Sequence, residues 1–321
     1  MRVFGTFLWV VMGAGMAAGA NAQGWPVKSI RFVSPYAPGG GSDILARSIG
    51  QKLSENLGVS VVIDNRPGAG GVIGTEIVTK SPPDGYTLML GTPAPITVAP
   101  SLMKKMPYDP LRDLTPITLV SIVPAVVAVH PSVPAKSMKE LVALARSKPG
   151  QMTYSSSGNG GTAHLSGLML QTMADIAIIH VPYRGTGPAL TAAMSGEVTF
   201  TAGNIISSLP MVKAGRVRAL AVTSEKRSPV LPDVPSVAET IPGYAAGPFY
   251  GVLGPGHMAP ELVNRIRNEI AKILHAPEMK TRLSAEGGEP IGSTPEVYAA
   301  MIRSETERWG RVIKAAKIQP E

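Results

Sequence analysis

From Lys28 onward the chain repeats one construction: a short apolar run, a cluster of glycine, serine or threonine, and then a helix with one apolar face. Alternation of this kind predicts an α/β fold in which mostly parallel sheets are flanked by helices. The predicted strands are residues 29–34, 59–64, 86–90, 115–130, 152–155, 176–181, 198–201, 217–223 and 250–253. Between them Ile44, Leu45, Ile49 and Leu53 share one helical face, Leu262, Ile266, Ile270, Ile273 and Leu274 another, and a third stripe runs through Val297, Met301, Ile302 and Val312. These stripes at the helical period are core, not cofactor contacts.

Two interruptions set the domain organisation. Run 115–130 carries Pro124 in its middle, where a ladder would lose a donor, so it reads as two strands joined by a bend. A second break comes near Thr223, before the proline-rich stretch 228–235. A chain that leaves and re-enters a lobe at these points has one lobe of residues 24–122 plus 223–321 and another of 123–222, joined by two crossover strands that form a hinge.

The first 22 residues are set apart from that fold. Arg2, an apolar run over 3–18 and the small-x-small pattern Ala20-Asn21-Ala22 predict a secretory signal peptide over 1–22, cleaved before Gln23. A retained anchor is disfavoured by Gly5, Gly13 and Gly15 and by a length short of the roughly 20 apolar residues a spanning helix needs. The chain has no cysteine, which excludes lipid attachment and disulfides and predicts a soluble periplasmic protein, read as a monomer. Loss of Arg2 lowers the formal charge from +8 to +7, a balance that favours anionic small molecules or an anionic membrane face. Nucleic acid is not expected, because the basic residues are dispersed and aromatics make up only 5% of the chain.

Function is read from the loops at the strand ends, since ligands of open α/β sheets bind beyond the carboxyl ends of strands. Residues 34–43 form a Ser-Pro-Tyr-Ala-Pro-Gly-Gly-Gly-Ser-Asp turn that opens a helix, with Ser42 its N-cap. Such a helix start offers unpaired N–H groups and the positive end of the dipole to a carboxylate or phosphate. Similar clusters occupy 65–71, 91–93, 155–162 and 182–187. Two lobes that each present helix starts could grip both ends of one dianion.

Enzymatic alternatives find little in the sequence. Gly68, Gly70 and Gly74 miss the spacing of a dinucleotide turn by one residue, and no acidic residue closes the next strand. There is no nucleophile elbow and no Walker sequence, and cysteine catalysis is excluded. His130, His164, His180 and His257 are scattered without ligand spacing, so no metal, cofactor or catalytic residue is assigned. His164 is expected to satisfy the nearby Asn159 loop.

Several phrases resemble the Bug family, the extracytoplasmic solute receptors of tripartite tricarboxylate transporters: Ala-Pro-Gly-Gly-Gly-Ser-Asp at 37–43, Asp-Asn-Arg-Pro-Gly-Ala-Gly-Gly at 64–71, Pro-Asp-Gly-Tyr-Thr-Leu at 83–88, Pro-Tyr-Asp-Pro at 107–110, Ser-Ser-Gly-Asn-Gly at 156–160, His-Val-Pro-Tyr-Arg-Gly at 180–185 and Leu-Pro-Asp-Val-Pro at 231–235. The resemblance covers essentially the whole mature chain. It implies a two-lobed periplasmic-binding-protein fold, type II-like, that closes on a small organic acid, a di- or aromatic carboxylate, and delivers it to integral membrane permease subunits.

The resemblance carries proximal-carboxylate binding to Tyr36, Pro38, Gly39, Gly40, Ser42 and Asp43, and the opposite lobe's contacts to Ser157, Gly158, Asn159 and Thr162. Asp43 is read as a cap and water organiser, because a carboxylate would repel the ligand. Gly70, Thr92, Tyr183, Asn204 and Phe249 complete the candidate set from adjoining loops, with Arg184 a candidate partner for a distal acid group. Gly203 beside Asn204, Leu168 after Gly167, and the segment 247–250 depart from the family pattern toward small or apolar groups, which suggests a less polar ligand. The rival readings are an exported enzyme acting on an acidic substrate and a sensor that presents its closed form to a signalling protein.

Overall fold

The computed structural model describes residues 24–285, 287–315, Ile318 and Pro320; the predicted signal peptide lies outside the described residues. The chain first builds β1 (Ile30–Ser34), α1 (Gly41–Leu57), β2 (Val61–Asn65), α2 (Val72–Thr79), β3 (Thr87–Gly91), α3 (Ala99–Leu102) and β4 (Leu114–Ile122). It then crosses to β5 (Ala125–Val129), α4 (Met138–Ser147), β6 (Met152–Ser156), α5 (Thr162–Ala174), β7 (Ile178–Pro182), α6 (Thr186–Ser195), β8 (Phe200–Asn204), α7 (Ile205–Lys213) and β9 (Arg218–Val222). The return passage leads to β10 (Phe249–Pro255), α8 (Pro260–His275), α9 (Pro277–Ala285), β11 (Glu289–Pro290) and α10 (Pro295–Ala315).

Two sheets result, ordered β11-β4-β10-β3-β1-β2 and β7-β6-β8-β5-β9. The break at Pro124 is where the chain changes sheet, as its missing donor requires. Most strands of each sheet run in one direction, as expected, and a minority opposes them, so both sheets are mixed. β10 runs antiparallel to β3 and β4, and β5 antiparallel to β8 and β9. These are the strands that arrive from the other sheet. Resident strands end where the sheets meet, so a strand that enters there runs the opposite way.

Packing agrees with the sequence stripes. On α8, Leu262, Val263, Ile266, Ile270, Ile273 and Leu274 are buried. All five residues of β5 are buried, as befits a strand covered on both faces. The largest apolar cluster joins Phe32, Leu45 and Ile266 around the first sheet to Val126, Ile205 and Leu209 around the second, so it is continuous across the crossing. Val237, Ile241, Tyr244 and Ala246, from the return passage, pack on the second sheet with Val127, Tyr154 and Phe200.

Candidate functional site

The first rim grows from the carboxyl ends of β1, β2 and β3. The helix α1 is capped by Gly40 without a side-chain hydrogen bond, not by Ser42, which lies in the first turn with its Oγ 3.0 Å from Ser34 Oγ. Tyr36 is buried and donates to the Gly70 carbonyl at 3.1 Å, leaving its oxygen to accept from Thr92 Oγ1 at 2.9 Å. Burial pushes the Tyr36 phenol up to about 12, the Thr92 bond opposing, so it stays a neutral donor.

Asp43 works behind the rim. Its Oδ2 accepts from Gly39 N–H at 3.1 Å and Arg47 Nε at 3.0 Å, and its Oδ1 from Asn65 Nδ2 at 3.0 Å. Burial alone would push this carboxyl up, but the bonds from Arg47, Gly39 and Asn65 outweigh it and hold it below the usual carboxylate range. Asn65 also ties down the Tyr36 carbonyl, at 3.0 Å. With Asp43 so engaged, the loop 36–40 is fixed from outside the cleft.

The second rim is built from the ends of β6, β7 and β8. Ser155 Oγ donates to the Ala189 carbonyl at 2.8 Å, linking β6 to α6. Gly158 N–H donates to Ser156 Oγ at 3.1 Å and Gly160 N–H to His164 Nδ1 at 3.0 Å, so His164 satisfies the loop as expected. Both α5 and α6 are capped by glycine, Gly161 and Gly185, without side-chain caps. Their first-turn N–H groups, like those of α1, are left for another acceptor.

The rims meet. Ala37 N–H donates to the Arg184 carbonyl at 3.1 Å, and Asn204 Nδ2 donates to Tyr250 Oη at 2.6 Å while its Oδ1 caps α7 through Ile206 N–H at 2.8 Å. A Cβ on Gly70 would stand 2.4 Å from the Asn159 carbonyl oxygen, and one on Gly158 3.2 Å from Gly70 Cα. Both glycines hold positive φ, 63° and 124°, so conformation and close approach both demand glycine.

Between the rims lies a chamber of about 40 Å³, lined by the predicted Tyr36, Gly40, Ser42, Thr92, Ser157, Thr162 and Asn204. It opens beside an outer cleft of about 220 Å³ that shares Tyr36 and Ser157 and takes in Gly70, Gly158, Asn159, Tyr183 and Arg184. Pro38, Gly39 and Asp43 line neither, although the Pro38 carbonyl abuts Gly187 across the cleft. Phe249 is a correction: it is buried edge-on against Tyr298, and its neighbour Tyr250 lines the chamber, because successive strand residues face opposite sides. Gly203 and Pro248, noted in the sequence as departures from the family pattern, do line the chamber; sequence reasoning passed over Ser156, Gly161 and Thr186, which sat inside loops already singled out, and Thr201, which only the sheet packing brings in.

No lysine or arginine lines the chamber, and no group of three metal-ligating side chains occurs among the described residues. The polar lining of the chamber consists of hydroxyls, the Asn204 carboxamide and helix starts without side-chain caps. Residues 45–318 match the Tripartite tricarboxylate transporter family receptor. The chain belongs to that family. It is 35% identical to the protein BugT of Bordetella pertussis over 316 residues, covering 98% of this chain and 96% of BugT. An R. palustris protein solved with adipate superposes with a TM-score of 0.90 at 37% identity, covering 92% of this chain and all of that one. MatC of Rhodopseudomonas palustris, solved with bound malate, gives 0.86 at 30% identity over 90% of this chain and all of that one. The protein is thus a two-lobed α/β solute-binding receptor and not an enzyme.

Proposed function

We propose that this receptor captures a small organic carboxylate between two lobes, each built on one of the two sheets with the return passage 224–246 packed on the second, and delivers it outside the cytoplasm to a membrane permease, acting as a monomer after removal of residues 1–22. The observation that carries the reading is the convergence of three glycine-capped helix starts, from both sheets, on one chamber without cationic side chains. Main-chain N–H groups recognise charge and shape together. The chamber, with room for only a few water-sized groups, requires the rims to part before an acid enters. Bending at the two crossings then closes them.

Alanine and proline side chains at Pro93, Ala94, Ala163, Ala189, Ala202 and Pro248 share the lining with the hydroxyls. This mixture favours a longer aliphatic or aromatic carboxylate, with Arg184 at the outer cleft for a distal acid group. The adipate and malate found in the two R. palustris relatives agree with a carboxylate ligand. A thermal-shift screen of mono-, di- and tricarboxylates tests it. Ligand at 100 times its Kd stabilises by about 2.7 kcal/mol, and mass spectrometry should recover it unchanged. Tight binding of citrate or aspartate, with no affinity for longer or aromatic acids, would refute the ligand class.

A further inference from the structure

The ligand-facing loop of the second rim hangs on two imidazoles. His164, in the first turn of α5, accepts the Gly160 N–H on Nδ1 at 3.0 Å. His180, on β7, places Nε2 2.5 Å from Ser156 Oγ. That hydroxyl accepts Gly158 N–H at 3.1 Å and donates its one proton to the Gly158 carbonyl at 3.0 Å, so Nε2 of His180 must be the donor. The rings stack with centroids 4.1 Å apart and an 18° interplanar angle. Both ends of the loop 156–161 are thereby anchored to one ring pair.

The surroundings are neutral. From β6 the Tyr154 ring lies 5.1 Å from His180 and its hydroxyl donates to the His164 carbonyl at 3.3 Å; from β8 Phe200 stacks on Tyr154. Beyond the loop, Gly160 packs toward Val98 and Leu102. Among the described residues no charged side chain bonds to either ring. Burial pushes His164 down to about 4; burial, together with the neighbouring ring, pushes His180 down to about 3.

We propose that His164 and His180 are positioning residues for the anion site, holding the loop 156–161 in its ligand-facing form while neutral, and that protonation of His164 releases the loop and with it the ligand. This rests on the chamber being the anion site. A proton on Nδ1 of His164 would set donor against donor at Gly160, whereas a protonated His180 would keep its Nε2–H on Ser156 and act only by repelling a charged His164 ring 4.1 Å away. The held loop therefore excludes protons, its imidazoles titrating below the ordinary value of about 6.5. Affinity is then full above that pH and falls as pH drops toward 4.

Adipate binding measured by calorimetry at pH 7 and pH 5.5, in the native chain and in the double variant His164→Asn/His180→Gln, tests this. The variant keeps both hydrogen-bonding positions without the titration, and ligand protonation cancels between the two proteins. The native chain is expected to lose at least about tenfold more affinity than the variant, and His164→Ala to bind weakly at every pH. Amide NMR of the ligand-free protein should show Gly158 and Gly160 moving as the two rings titrate. Equal pH dependence in both proteins, or amides indifferent to the rings, overturns the proposal. Amides that track the rings in a protein that binds no acid at pH 7 would strike the anion-site reading and leave the loop control standing.

Discussion

On the first rim the loop into α1 is braced by an ionised carboxylate, Asp43, with Arg47 and Asn65 around it; on the second the loop into α5 is braced by two neutral rings and a serine hydroxyl. Both rims offer the same main-chain donors, yet their supports answer to different conditions. The Asp43 brace is present above the ordinary carboxylate pKa and is lost only as pH falls through its lowered value. The imidazole brace weakens from about pH 6.5 downward. The anion site proposed for the chamber holds no cationic side chain, so its charge preference would come from backbone geometry, and whatever holds the backbone would set the affinity.

The largest effect should come from closing the gap between the rims. Gly70→Ala puts a Cβ 2.4 Å from the Asn159 carbonyl oxygen and should weaken ligand binding about a hundredfold. Open rims relieve the clash, so the ligand-free protein should lose only the strain of an alanine at φ 63°, about 1 kcal/mol; native affinity in this variant would mean that the rims never meet at Gly70. Gly158→Val should act similarly from the opposite side. Next in size, Asn204→Ala removes both the α7 cap and the contact to Tyr250, at about 1–2 kcal/mol of stability by denaturant titration; Tyr250→Phe should cost less.

Asp43→Asn separates the two braces. It should lower affinity about tenfold at pH 7 while leaving the acid response of the second rim intact, which a pH series of binding isotherms would show. A flattened acid response would assign the pH effect to the wrong rim. The smallest change belongs to Arg184→Ala: a two- to threefold loss for dicarboxylates, fading in high salt, with none for monocarboxylates, as expected of an exposed charge.

Much of the architecture was legible in the chain. The strand–loop–helix alternation, the division at Pro124 and the rim loops all depend on local patterning, and local patterning is what one sequence displays. Other features were not. Ser42 carries the side chain of an N-cap, but the helix starts from Gly40 and the Ser42 hydroxyl is taken by Ser34 Oγ across the turn. Phe249 and Tyr250 are adjacent aromatics, and only strand register decides which faces the chamber.

By itself the sequence determined that the chain is α/β, changes sheet at Pro124, and places glycine-rich helix starts beyond its strands, because proline, glycine and apolar periodicity act over a few residues. Tertiary structure alone decided that β5 and β10 run against their neighbours, that the rims of two sheets touch through Gly70 and Gly158, and that His180 reaches Ser156 across 24 residues of chain. Those relations are between distant segments, and they exist only once the apolar faces of both sheets have been buried against their helices.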